Sequence, residues 1–148
     1  MNLPVENVDT SMPLLANNTL DLQCAESTLV LNSKGTGNVW KTVWKTMGDA
    51  PGVKDDQIVS KNFPIYHQVS MAETDRYDGD AIAKKVAMIA KAVGITGVAP
   101  IDLDKWHERV VDKIAMAKVV VKPGRTDEDG QTFEAKNEIR VFLKPTEA

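Results

Sequence analysis

A short segment of the chain pairs two aromatic rings with two cations at regular spacing. Residues 39–47 read VWKTVWKTM, so that Trp40 is followed by Lys41, and Trp44 by Lys45. A protein that holds an unpaired nucleic-acid strand without reading its sequence needs flat rings for base stacking, worth about 1–3 kcal/mol per base, beside cations that follow the phosphates. The residue types of this segment therefore fit binding to single-stranded nucleic acid.

The spacing within this segment fits two kinds of secondary structure. With a period of two, the tryptophans and threonines share one face of a strand and the lysines share the other. With a period of 3.6, an apolar helical stripe is formed by Val39, Trp40, Val43, Trp44 and Met47. We favour the strand, because Val, Thr and Trp are common in strands and glycines bound the segment on both sides.

A strand would project the tryptophans and the lysines to opposite faces. Only one of the two sets can then meet a ligand directly, unless twist or a bulge brings the lysine stems round. The chain has three tryptophans, and the interior of a small barrel needs large side chains. Trp40 and Trp44 are therefore either a stacking surface or part of the core, and the sequence leaves both interpretations open.

Further candidate binding residues come from other predicted strands. Tyr66 has the opposite parity to Ile65 and Val69, which places it off the presumed core face and makes it a candidate for stacking. Arg140 is a second candidate, because its planar guanidinium can stack on a base. The remaining candidates are lysines that could contact phosphates, although scattered lysines are more often solvated surface: Lys61, Lys118, Lys122 and Lys136.

The sequence contains no motif of a catalytic, cofactor or metal site. His67 and His107 are too far apart for a closed zinc site and lack CxxC or HxxxH companions. The run TDEDGQTFEAK fails as a calcium loop because Arg125 and Lys136 stand where carboxylates are required. The GTG at residues 35–37 lacks the further glycine and helix of a nucleotide site. We expect no enzyme activity, no cofactor and no metal.

Composition predicts one soluble domain with a local rather than a global positive charge. The 148 residues are 43% hydrophobic and 26% charged, with a net charge of -3, whereas residues 31–66 carry +2. No apolar run approaches the ~20 residues that span a bilayer, and residues 1–15 lack the cations of a signal peptide. Cys24, the single cysteine, fits a reducing compartment and a small buried position on a strand.

Periodicity along the chain predicts three strands before a helix. The first strand runs from Thr19 to about residue 31, with a bulge near residues 25–27, and the glycine-bearing NSKGTGN connects it to the second strand at residues 39–47. NFPIYHQVSM alternates as a third strand, in which Pro64 favours an edge position or the strand's beginning. Asp78 to Val93 has helical periodicity and ends at Gly94.

Two β-rich runs close the chain. A short second helix is predicted within residues 102–113, with Trp106 and Val110 pointing inward. Residues 114–125 and 132–145 then form a hairpin around the turn TDEDGQ. This order predicts a mainly β fold, a five-stranded OB-like barrel with one main helix between strands 3 and 4. Residues 1–18 form an extended lead-in, residues 19–145 the domain, and residues 146–148 a short tail.

Four segments carry a resemblance to a known family: NSKGTGNVWKTVWK, KNFPIYHQVSM, AMIAKAVGI and AKNEIRVFLKP. From about Thr19 to Pro145 the chain resembles small phage-encoded single-stranded DNA-binding proteins of the OB fold. The resemblance implies a non-catalytic protein of the bacterial host's cytoplasm that coats single-stranded DNA, with RNA as the open alternative. It also implies a role in phage DNA replication or recombination, with proteins of those processes as partners and several copies along a strand or a homo-oligomer.

A rival hypothesis comes from another class of protein. A virion or assembly component could use the same β-barrel for protein contacts, with the extended N-terminus packed on a neighbour.

The chain ends in KPTEA and lacks the acidic C-terminal run through which many single-stranded DNA-binding proteins recruit partners.

Overall fold

Five long β-strands and one α-helix form the framework of the part of the chain that the structure describes. The structure is a computed structural model that describes residues 13–31, 37–71, 79–95 and 106–143. In chain order the elements are β1 (Asn18–Leu31), β2 (Asn38–Thr46), β3 (Ala50–Pro51), β4 (Ile58–Val59), β5 (Pro64–Ser70), α1 (Gly79–Ala92), a 3-10 turn (His107–Val110), β6 (Ile114–Lys122), β7 (Arg125–Thr126), β8 (Thr132–Phe133) and β9 (Lys136–Leu143). The predicted mainly β class, with a helix after the third long strand, is confirmed.

The long strands form one antiparallel sheet in the order β5-β2-β1-β6-β9. β1 pairs with both β2 and β6 and so joins the two halves of the sheet. Because all four pairings are antiparallel, the edge strands β5 and β9 run in the same direction, and they also contact each other. The sheet is therefore curved enough to bring its edges together. Pro64 begins the edge strand β5, as its missing N–H predicts.

Two strands carry an extra residue. In β1, Cys24 and Glu26 pair with consecutive residues of β2 and leave Ala25 between them, so the predicted bulge is confirmed. In β9, Arg140 lies between two residues that pair with consecutive positions of β6. A bulge bends its strand and shifts the alternation of side chains between the two faces.

The tryptophans of β2 lie inside the curved sheet. Trp40 is 1% exposed and Trp44 is 0% exposed. The Trp40 indole N–H donates to Ser27 Oγ at 2.8 Å, and the Trp44 indole N–H donates to Thr42 Oγ1 at 2.8 Å. Each ring therefore buries its apolar surface without leaving its N–H unpaired. The strand interpretation of residues 39–47 is confirmed and the helical one is wrong.

The burial of Trp40 and Trp44 shows that their interpretation as a stacking surface is wrong. A ring that is almost wholly covered by protein offers no face to a base, so neither residue is a stacking surface and both are core. Trp40 instead makes an edge contact with Trp106, with ring centroids 5.6 Å apart, and Trp44 lies 5.0 Å from Phe142 of β9. These contacts connect β2 to elements far away in the sequence.

Helix α1 packs against the sheet at β5, β6 and β9. Its buried face includes Val86 and Ile89, as the periodicity predicts, and Gly94 follows with φ 80° as the predicted stop. Trp106 and Val110 point inward at the 3-10 turn, also as predicted. No helix in the described ranges is long and apolar enough to cross a membrane.

Residues 13–17, which we name the N-terminal strap, cross the domain. Leu15 is fully buried, and its backbone N–H and C=O are both bonded to the side-chain amide of Asn137, each at 2.9 Å. On its other side the strap bonds to the β3–β4 segment, where Ala16 N–H donates to Pro51 O at 3.0 Å and Val53 N–H donates to Leu14 O at 2.9 Å. The strap therefore connects β9 with the chain that leads into β5.

Some predictions fall on residues outside the described ranges. Most of the lead-in (residues 1–12) and most of the NSKGTGN connection (residues 32–36) are among them. So are Asp78, the first residue of the predicted main helix, the N-terminal part of the predicted second helix, and the C-terminal tail.

Asn137→Ala is expected to destabilise the fold by about 1–3 kcal/mol, because it removes both side-chain bonds to the buried Leu15 backbone. The measurement is the urea unfolding midpoint at unchanged m-value. Asn18→Ala is the matched control, since the bond that the Asn18 side chain accepts from Thr19 N–H is exposed and local, and its effect should stay within about 0.5 kcal/mol. Equal effects of the two substitutions would contradict the structural role of the strap.

Candidate nucleic-acid interface

The outer face of β1, β2 and β5 presents side chains that alternate with the buried tryptophans. We name this surface the floor. It consists of three cross-strand rows: Gln23, Lys45 and Pro64; Glu26, Val43 and Tyr66; Thr28, Lys41 and Gln68. Since Trp40 and Trp44 occupy the inner face of β2, the lysines between and after them necessarily face outward.

Tyr66 is the exposed aromatic residue at the centre of the floor. Its side chain is 71% exposed, as its parity in β5 predicts. Lys41 and Lys45 belong to the rows on either side of it, each about 7 Å away along the strand direction at a rise of ~3.3 Å per residue. The floor therefore places a flat ring between two cations, which is the arrangement that a base and its flanking phosphates require.

A groove of about 1170 Å³ separates the floor from the beginning of β9. It brings together five predicted site residues, namely Lys41, Tyr66, Lys122, Lys136 and Arg140. Four cationic and three acidic side chains line it, so the groove has a formal charge of +1 on a chain of -3. Arg140 reaches this groove as the extra residue of the β9 bulge, with its side chain exposed.

The other predicted residues lie elsewhere. Lys45 and Lys61 line a smaller neighbouring pocket at the end of β2. Lys118 is exposed on β6 but lines neither the groove nor this pocket. Trp40 and Trp44 are in the core, as described above.

The β7–β8 hairpin contributes an aromatic residue that the sequence reasoning missed. Phe133 is 40% exposed, and the Arg125 guanidinium carbon lies 5.2 Å from the centroid of its ring. The residues that follow it, Glu134 and Ala135, line the groove. In the sequence, Phe133 is recognisable only as an aromatic residue in the β-rich run that follows a polar turn. Its place beside the floor depends on the fold.

Gly124 allows the two arms of this hairpin to approach each other closely. A Cβ at position 124 would lie 2.8 Å from the backbone oxygen of Phe133, a contact that would displace the backbone. At the tip, the Asp127 carboxylate accepts the N–H groups of Asp129 and Gln131 at 3.0 and 2.8 Å. The hairpin is thereby fixed at both its base and its tip.

His67 lies where the groove meets the core. It belongs to β5, lines the groove, and contacts Phe142 of β9 edge to face with centroids 4.9 Å apart. Burial lowers its pKa from 6.5 to about 4, with a smaller contribution from the nearby charge of Lys85. The imidazole is therefore neutral near pH 7 and adds no positive charge to the groove.

Cys24 is confirmed as a small buried residue on a strand. Burial raises its pKa to about 12, and its Sγ lies 3.4 Å from the backbone oxygen of Glu26, to which the thiol donates. The thiol is therefore a poor nucleophile at neutral pH. Among the residues that the structure describes, no three His, Cys, Asp or Glu side chains are grouped so as to hold a metal ion.

Comparison with known proteins gives no family for this chain. A scan against protein-family models finds no match, and a search of curated proteins finds no significant relative. The function is therefore inferred from the interface itself.

Stability should fall as the pH is lowered from about 6.5 to about 4, because His67 of the unfolded chain takes up a proton in this range while the folded chain keeps it neutral. The lowered pKa of His67 corresponds to a loss of up to about 3 kcal/mol in the free energy of unfolding once the pH is below both pKa values. His67→Gln lacks the titrating imidazole and should therefore lose less stability between pH 7 and pH 4 in urea unfolding. The carboxylates are the same in both proteins and should contribute equally to the loss in each. An imidazole NMR titration with a midpoint near pH 6.5 for His67 would contradict the assignment.

Proposed function

We propose that this protein binds single-stranded nucleic acid, with DNA as the expected ligand, and that it coats the strand without catalysis and largely without sequence preference. The observation that carries the proposal is the position of Tyr66, an exposed ring between Lys41 and Lys45 on the floor, opposite the cationic side chains of β9. Rings and cations beside one groove are what non-specific single-strand binding requires.

We also propose that the curved sheet is a five-stranded barrel of the OB type. The strand order, the helix between the third and fourth long strands, and the contact between the edge strands β5 and β9 support this assignment. In OB folds, oligonucleotides bind over strands 2 and 3, between the loops that follow strands 1 and 4. In this chain the corresponding surface is the floor, and the corresponding second loop is the β7–β8 hairpin.

The exposed aromatic groups favour an unpaired ligand over a duplex. Tyr66 can stack only on a base whose face is free, and in a duplex both faces of each base are covered by neighbouring base pairs. Phe133, backed by Arg125, offers a second ring on the hairpin that borders the groove. A flexible single strand can present successive bases to both rings.

The small positive charge of the groove limits the electrostatic part of the affinity. Each phosphate neutralised on a single strand contributes about -0.7 to the slope of log K against log salt. The four cationic side chains of the groove thus account for a slope of at most about -3, so stacking must supply a substantial share of the binding. The resemblance to phage single-stranded DNA-binding proteins adds replication or recombination as the process served.

Tyr66→Ala is expected to weaken binding to oligo-dT by about 1–3 kcal/mol, because it removes the stacking ring from the floor. Tyr66→Phe is the matched control, since it keeps the ring and should bind within about two-fold of the parent. Binding is best followed by the anisotropy of a fluorescein-labelled oligonucleotide, because the tryptophans are buried and stacking on them cannot report the complex. Similar affinities for the two variants, or equal affinity of the parent for duplex DNA, would refute the proposal.

Replacing Lys136 by Gln should make the salt slope shallower by about 0.7, the effect of one lost phosphate contact. Lys118→Gln makes the same change of charge outside the groove and should leave the slope unchanged. The measurement is the oligo-dT dissociation constant over a series of salt concentrations. If both variants made the salt slope shallower by the same amount, only the overall charge would matter and the groove would not be the binding site.

A further inference from the structure

A second cavity, of about 350 Å³, lies at the end of the floor beside the bulge in β1. We name it the bulge pocket. The side chains on which its chemistry depends are Gln23, Lys45, Lys61, Asn62 and Asp112, and the extra residue Ala25 forms part of its wall. Two cations and two amides face one carboxylate here, so the pocket is positively charged and rich in hydrogen-bond donors.

The backbone around the bulge pocket is held by hydrogen bonds on each side. On the side of β2, Asn62 N–H donates to Thr46 O at 2.7 Å, and Lys61 N–H donates to the Asp49 carboxylate at 2.9 Å. On the side of β1, Asp112 N–H donates to Cys24 O at 2.8 Å. The backbone that carries the two lysines is thus fixed before any ligand binds.

The bulge pocket is continuous with the floor through one cross-strand row. Lys45 pairs with Gln23, which lines the bulge pocket, and with Pro64, which lines the groove. Lys41 and Lys45 project from the same face of β2, about 13 Å apart at ~3.3 Å per residue. A strand that passes Lys41 and Tyr66 therefore reaches the bulge pocket if it follows β2 to its end.

We propose that the bulge pocket binds a phosphate of the nucleic-acid strand that occupies the groove, with Lys45 and Lys61 as its cationic ligands. The inference rests on the proposed function and extends it, because it lengthens the binding site beyond the groove and sets the path of the strand along β2. Because Lys45 also flanks Tyr66 on the floor, Lys61 is the cation whose contribution distinguishes the bulge pocket from the groove.

The test uses oligo-dT of about ten nucleotides, a length in the middle of known site sizes. Lys61→Gln should weaken its binding about ten-fold, as expected for one lost charge-assisted phosphate contact. The matched control is Lys118→Gln, which removes one exposed charge outside both cavities and should leave the affinity unchanged.

A titration of the parent protein with inorganic phosphate, followed by amide NMR, tests the bulge pocket separately. Shifts confined to Gln23, Lys45, Lys61 and Asn62, and lost in Lys61→Gln, support a phosphate site. Equal affinities of Lys61→Gln and Lys118→Gln for the oligonucleotide would overturn the extended path and leave the proposed function standing. If no oligonucleotide binds the parent, the proposed function fails. Phosphate-induced NMR shifts in the bulge pocket would then overturn its assignment to a nucleic-acid strand and leave it as a site for another phosphate.

Discussion

The structure depends on the burial of two hydrogen-bonded indoles within one β-strand. Trp40 and Trp44 lie two residues on either side of Thr42, so a strand puts all three on its inner face. Ser27 and Thr42 accept the indole N–H groups, which removes the main penalty for placing these rings in the core. The same alternation then leaves Lys41 and Lys45 no position except the outside. The core thus determines the chemistry of the floor.

The parts of the fold that follow from local pattern were predictable from the sequence. Alternation identified the β5 strand and the exposed position of Tyr66, a 3.6-residue period identified α1, and the left-handed Gly94 marked its end. In β2 the same alternation separated rings from cations but could not decide which set faced the core. That decision depends on partners that are distant in the sequence: Trp106, Phe142 and the hydroxyl of Ser27.

The groove could not be predicted in the same way, because its two sides belong to different halves of the chain. Tyr66 on the floor and Lys136 on β9 come to line the same groove only because β1 pairs with both β2 and β6 and the sheet curves until its edge strands touch. Bulges add to the difficulty, since an extra residue such as Arg140 interrupts the alternation on which sequence patterns rely. Phe133 was missed for a related reason, because its importance comes from the position of its hairpin and not from its own spacing.

The N-terminal strap has a mechanical consequence for this groove. It bonds to Asn137 of β9 and to the β3–β4 segment, which leads into β5, and so links one edge strand of the sheet to the chain just before the other. Widening the groove between β5 and β9 would pull on these bonds, so we expect the cleft to keep most of its width when it is empty. A ligand then loses little free energy to the closing of the protein around it, and the entropy lost on association is mainly that of the flexible strand.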